Sequence, residues 1–219
     1  MLSGERRLFN FTPKAPFTIS AATEEDIRWA ASMTRRVYSG LDVIPTKLML
    51  EWFEANPTGF FIIKDRDGHR CGNLDCLPLK PDTLAHLLRG EMIEREIRGD
   101  SLFRPQESER IDSLYIESLV ALRSPLAAYK AIMNLPRLVA RICAPGQIKK
   151  IYAAGASQNG IRLMKHLGFD RIECDTPKRD GHQVFAVSFV DLVKSIATHA
   201  RSEDKLDLMR VLKEIEARG

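Results

Sequence analysis

The sequence predicts a mixed α/β domain organised around a βαβα unit, and three observations carry that prediction. Ser113-Leu-Tyr-Ile-Glu-Ser-Leu-Val-Ala-Leu122 and Ile148-Lys-Lys-Ile-Tyr-Ala-Ala154 are apolar strand-like runs separated by a long helical stretch, the crossover that two parallel strands require. A second helix follows from Gly155-Ala-Ser-Gln-Asn-Gly160 and stops at Leu167-Gly-Phe169. Upstream, Asp67-Gly68 between Gly59-Phe-Phe-Ile-Ile-Lys64 and Cys71-Gly-Asn-Leu-Asp-Cys-Leu77 spells a hairpin, because that pair tolerates the positive φ angles of a tight turn.

In chain order, residues 1–16 carry Pro13 and Pro16 without a period and read as an irregular arm before a short strand, Phe17-Thr-Ile-Ser20. Thr23 is an N-cap with Glu24, Glu25 and Asp26 in the first turn, where the helix dipole favours acid, and the helix runs to about Tyr38. Pro45 opens a second helix carrying Leu48, Trp52 and Phe53. After the hairpin comes a mostly helical insertion, 82–99, then a polar loop over 100–110. Pro136 is expected to kink or split the crossover helix after Asn134. Arg171-Ile-Glu-Cys174 and Gln183-Val-Phe-Ala-Val-Ser-Phe189 form a second hairpin whose turn holds Pro177 and Gly181, and the chain ends in helices with a break near Ser202. The domain therefore spans 17–189, with 82–110 inserted and 190–219 as a helical extension.

With 44% hydrophobic and 28% charged residues, the 219-residue chain is of globular class. No run of about 18 apolar residues exists to span a membrane, and no apolar stretch follows Met1–Arg7, so the expected compartment is the cytoplasm. Four scattered cysteines, Cys71, Cys76, Cys143 and Cys174, suggest free thiols. His69, Cys71 and Cys76 fail as metal ligands because strand alternation points residues 71 and 76 to opposite faces, so no metal is expected. A net charge of +4 suits an anionic ligand, but the basic residues are dispersed, without a recognition-helix pattern or aromatic-basic platform for nucleic acid.

The element order resembles the GNAT acetyltransferase superfamily, and Met164-Lys-His-Leu-Gly-Phe169 resembles the Tyr-x-x-x-Gly-Phe that ends that family's fourth helix. The resemblance covers about 17–189 and implies a central mixed sheet of six to seven strands in which two parallel strands splay apart. Acetyl-CoA lies in the gap as co-substrate, its pantetheine bonded to backbone at positions that correspond here to Leu119, Val120 and Ala121. Glu117, an acid in a mostly apolar strand, resembles the family's general base for an amine acceptor on a small molecule or protein; the alternatives are a surface-facing residue or an ion pair. Tyr115 is two residues away on the same strand face and could orient the substrate or carry a proton, or simply pack.

Two departures stand out. The family's pyrophosphate loop is an Arg or Gln, two residues, Gly, one residue, then Gly or Ala; Arg123-Ser-Pro-Leu-Ala-Ala-Tyr-Lys130 contains no glycine. Ser124 as N-cap and Pro125 at the first helical position still start a helix there, offering the amides of Leu126, Ala127 and Ala128 to an anion with Arg123 or Lys130 nearby. Ser157 stands where family members often place a cofactor-contacting Asn, and Met164 where they place a Tyr that protonates the leaving thiolate, which a thioether cannot do. His166 and Tyr152 are the alternative acids.

Two functions compete: an acyl-CoA-dependent N-acetyltransferase acting by direct transfer, and a catalytically inactive GNAT-like module for ligand sensing or protein interaction. The stripe Leu208, Leu212 and Ile215 either pairs two chains into a homodimer or packs on its own domain. The 82–99 insertion either walls the acceptor site or presents its charges to water.

Overall fold

The computed structural model describes residues 17–122, 124–173, 179–200 and 202–217. The arm over 1–16, Arg123 and the Pro177 turn lie outside them.

Seven strands form one mixed sheet: β1 (Phe17–Ala21), β2 (Phe60–Asp65), β3 (Arg70–Leu77), β4 (Ser113–Ala121), β5 (Lys150–Gly155), β6 (Asp170–Ile172) and β7 (Gln183–Ser188), in the order β1-β2-β3-β4-β5-β7-β6. The pairings are antiparallel except for β4 with β5. Gly68, at φ +80°, turns the β2–β3 hairpin as Asp67-Gly68 predicts.

Helices α1 (Glu24–Val37), α2 (Thr46–Ala55) and α3 (Pro81–Leu88) cover one face, where Ile27, Trp52, Leu87 and Tyr115 share a core. Helices α4 (Pro125–Ile142), α5 (Gln158–His166), α6 (Phe189–His199) and α7 (Ser202–Glu216) cover the other, around Leu114, Ala131, Phe185 and Leu192. Thr23 caps α1 in a full capping box: the Asp26 amide donates to Thr23 Oγ1 at 3.2 Å and the Thr23 amide to Asp26 Oδ2 at 2.9 Å.

Several expectations need correcting. The insertion is helical only through α3; short 3-10 turns at Glu94–Glu96, Gly99–Ser101 and Pro105–Arg110 follow, pinned by buried Ile93, Ile97 and Leu102 and by Trp52 Nε1, which donates to the Ile97 carbonyl at 3.0 Å. Pro45 is the N-cap of α2 rather than its first helical residue. Helix α4 runs unbroken through Pro136, whose ring is itself buried between Met133 and Val139 in sequence; tertiary packing outweighs one lost amide hydrogen bond. Cys71 and Cys76 lie in the same core cluster, because the pairing of β2 with β3 skips Cys71 and breaks the alternation. Burial pushes both thiols up in pKa.

Candidate active site

The site begins where β4 and β5 part. β4 stays paired to β3 out to Ala121, and β5 stays paired to β7 out to Gly155, yet the two pair with each other only from Ser113/Lys150 to Ile116/Ala153. Beyond that point their facing backbone groups lack ladder partners, which buried amides and carbonyls do not tolerate without another partner. The run Ala153, Ala154, Gly155, Ala156 leaves room there, and a cavity of about 830 Å³ opens between the strands and helices α4 and α5.

A second irregularity sets its chemistry. Ile116 pairs with Cys76 and Ser118 with Asp75, so Glu117 is the extra residue of a β-bulge. Bulges re-aim side chains, and this one turns Glu117 into the cavity with its Oε2 shut off from water and without a hydrogen-bond partner. Beside it Asp75 is 1% exposed, with Oδ2 accepting from Asn73 Nδ2 at 2.8 Å and Oδ1 unpartnered. Burial first, and then the charge of Glu94 and Asp75, raises the Glu117 carboxyl well above the ordinary range; burial raises Asp75 to about 7 against the Asn73 hydrogen bond.

On this side of the sheet the cavity is also lined by Tyr38, Asp42, Glu94 and His182. His182 Nε2 lies 2.9 Å from Asp42 Oδ1. Tyr115 does not line the cavity; it is fully buried, and its hydroxyl donates to Glu94 Oε1 at 2.5 Å, so it reaches the site only through Glu94. Burial and then the Glu117 charge raise Tyr38; burial and then Glu94 raise Tyr115. Among the described lining residues there is no Lys or Arg, against three carboxylates.

On the α4–α5 side the lining is mostly apolar. Leu119 and Ala121 line the cavity, whereas the Val120 side chain is buried away from it, leaving only its backbone to take part. At the start of α4, Ser124 Oγ accepts from the Leu126 amide at 3.2 Å and the Ser124 carbonyl from the Ala127 amide at 3.1 Å. Two of the three amides expected to face an anion are thus already engaged. Ala127 is fully buried; Ala128 lines the cavity. Ser157 lines it as well, but its Oγ caps α5 by accepting from the Gly160 amide at 3.1 Å. His166 lies at the rim with its ring centroid 4.5 Å from that of His199; Tyr152 is not part of the lining.

The sequence reading missed Tyr38, Asp42, Asp75 and His182; Glu94 belongs to the 82–99 insertion, which the sequence offered as a wall of the site, and it lines the cavity. Asp75 alone left a signal, the same one that singled out Glu117: an acid inside an apolar strand. The others converge from separate loops and helix ends.

The only metal-like grouping among the described residues is Asp65, Asp67 and His69 at the β2–β3 turn. There Asp65 Oδ1 already accepts from the amides of Asp67 and His69, as a turn-capping carboxylate does.

No family model matches the chain, and no curated protein matches it. Solved structures do. The loading GNATL domain of CurA from Lyngbya majuscula superposes with a TM-score of 0.59 at 11% identity, over 79% of this chain and 98% of that one. The GNAT-like decarboxylase GphF in complex with isobutyryl-CoA gives 0.54 at 13% identity, over 78% and 99%. The Salmonella typhimurium acetyltransferase YncA with its cofactor acetyl-CoA gives 0.52 at 13%, over 79% and 94%. Nearly the whole of each neighbour is matched, while about a fifth of this chain has no counterpart in them. On these likenesses the chain has the GNAT fold.

Proposed function

We propose that this protein is an acyl-CoA-dependent N-acyltransferase that acetylates a cationic amine, on a small molecule or a protein, by direct transfer. The observation that carries the reading is the joining of two features at one point: the splayed β4–β5 pair, and Glu117 bulged into the cavity at its fork. The unpaired backbone of Leu119, Val120 and Ala121 suits the amides of a pantetheine arm. The thioester supplies an activated acyl carbon.

Glu117 receives the proton of the acceptor ammonium, directly or through water, freeing a nitrogen lone pair for attack on that carbon. A carboxyl with raised pKa is suited to this, since its proton affinity then lies closer to that of the amine. Asp42 and Glu94 line the acceptor side with negative charge, which favours an ammonium and disfavours a substrate carboxylate. That sign weighs against carboxylate-bearing acyl groups of the kind a decarboxylase takes. The thiolate leaves as thiol with a proton from water or from His166; Met164 cannot supply it.

The reading of a module without transfer chemistry is favoured by the Ser124 contacts that engage the α4 amides. Calorimetric titration with acetyl-CoA and free CoA separates the two. Transfer requires a Kd near micromolar, about −8 kcal/mol, followed by CoA release with at least one amine of a broad panel. Absence of binding at millimolar ligand leaves the module. Given turnover, Glu117→Gln is expected to lower kcat/KM by ~10²–10⁴ with acetyl-CoA affinity nearly unchanged; equal activity removes Glu117 from the mechanism.

A further inference from the structure

Three buried acceptor oxygens sit together at the β3–β4 bulge without a donor: Asn73 Oδ1, Asp75 Oδ1 and Glu117 Oε2. Asn73 Nδ2 donates to Asp75 Oδ2 at 2.8 Å and to Ser118 Oγ at 3.4 Å, so its donors are spent within the cluster. Orphaned buried acceptors are rare, because each forfeits the hydration it had in the unfolded chain. A single hydrogen between Asn73 and Asp75 would satisfy two of the three. An ionised Asp75 would set bare oxygens against one another; a proton on Asp75 Oδ1 would supply the absent donor, pairing amide to acid in the way that Nδ2 and Oδ2 already do on the other side.

We propose that Asp75 is a positioning residue that holds the proton the two carboxyls share, closing a neutral pair with Asn73, so that Glu117 carries the charge at the fork and meets the acceptor ammonium. This rests on the reading of Glu117 as base. Burial raises both carboxyls, but only Asp75 stands against an amide, with Asn73 Nδ2 2.8 Å from its Oδ2, whereas Glu117 Oε2 has no such neighbour, so hydrogen bonding assigns the proton to Asp75. Like charge reinforces this: the pair cannot ionise fully without two buried carboxylates side by side. The other titratable groups facing Asp75 are Cys76 on its own strand, Tyr38 at the end of α1 and, through Glu117, Glu94. None of them brings a positive charge.

The sign of the pH effect follows. A carboxyl whose folded pKa is raised stabilises the fold while protonated, and that contribution drains away as pH climbs from about 4 towards the folded value of about 7. Asp75→Asn, which has nothing to ionise, should therefore gain on the wild type with rising pH. The expected result is a melting-temperature difference, variant minus wild type, that grows by at least ~5 °C between about pH 5 and about pH 8. Constancy of that difference would overturn the proposal. Infrared spectroscopy of the wild type at neutral pH needs no folded variant: a protonated-carboxyl band that survives in Glu117→Gln supports it, and the loss of that band with Glu117→Gln assigns the proton to Glu117 and overturns it. Given turnover, the wild-type pH profile should carry an alkaline decline that Asp75→Asn lacks, a readout that a merely structural role would leave alone. Failure of acyl transfer would strike the Glu117 reading and leave the thermal and infrared results to decide on Asp75.

Discussion

Glu117 shows how one extra residue moves a strand side chain out of the sheet's alternation and into a cavity. One residue more in β4 than in β3 turns an acid that alternation alone would leave undetermined into the fork of the sheet. Further along the same strand pair, opposite Ala121, Gly72 admits no side chain, since a Cβ there would stand 2.3 Å from the Val120 carbonyl oxygen. Asp26 is the opposite kind of acid. Although burial works to raise its pKa, the Thr23 amide and hydroxyl and Arg70 Nε, 2.6 Å from Oδ1, together hold it below the ordinary value. Its contribution is therefore present above the unfolded carboxyl range and lost as pH falls through the folded pKa. Asp26→Asn is expected to lower stability by about 1–3 kcal/mol at neutral pH and to melt close to the wild type in acid. A deficit of the same size at both pH values would refute an ionised role.

At the scale of elements, the proposed function puts its heaviest demand on the start of α4, where a CoA phosphate would need free amides. Ser124 makes a good cap, and for that reason a poor phosphate loop: its hydroxyl accepts from the Leu126 amide that an anion would need. Ser124→Gly removes the hydroxyl while preserving a residue type common at N-caps, so stability should fall by only a few tenths of a kcal/mol. Acetyl-CoA affinity should meanwhile rise by ~3-fold or more as the amide is released. Unchanged or weaker binding in calorimetry would show that the cap does not compete. The same helix explains why Pro136 misled: its propensity penalty is local, whereas the apolar face from Ala127 to Ile142 is buried along the length of the helix.

At the scale of the molecule, the sheet separates two cores, and the C-terminal extension belongs to one of them. Leu208, Leu212 and Ile215 are 3%, 5% and 6% exposed and belong to the core on the α6 side of the sheet, α7 packing against α6 and the turn at Pro145–Gln147, so the stripe is buried within the chain. Ile196 and His199 of α6 also line the cavity, which ties the extension to the site. Leu212→Ala should cost about 2–5 kcal/mol, lowering the melting temperature by roughly 2–4 °C per kcal/mol, with no change in hydrodynamic size. A change of size with an unaltered melting temperature would mean that the stripe joins two chains instead.

The sequence by itself determined the strands and main helices and their order, though not the 3-10 turns after α3. Those signals are local: apolar period, Thr23 and Ser157 as caps, Asp67-Gly68, and Gly168, whose φ of +85° ends α5 before Phe169. It also singled out Glu117, because a carboxyl among apolar neighbours is conspicuous in one dimension. The tertiary structure alone decided that the fork opens after Ile116, that Glu117 is bulged into the cavity, and that Asp42, Glu94 and His182 line the same cavity from distant segments. It decided too that the Leu126 and Ala127 amides are engaged by Ser124 and that the last helix packs inward. Register, proton sharing and the use of a hydrogen-bond donor are properties of neighbours in space, and neighbours 42 residues apart, as Asp75 and Glu117 are, leave no mark on one another's local sequence.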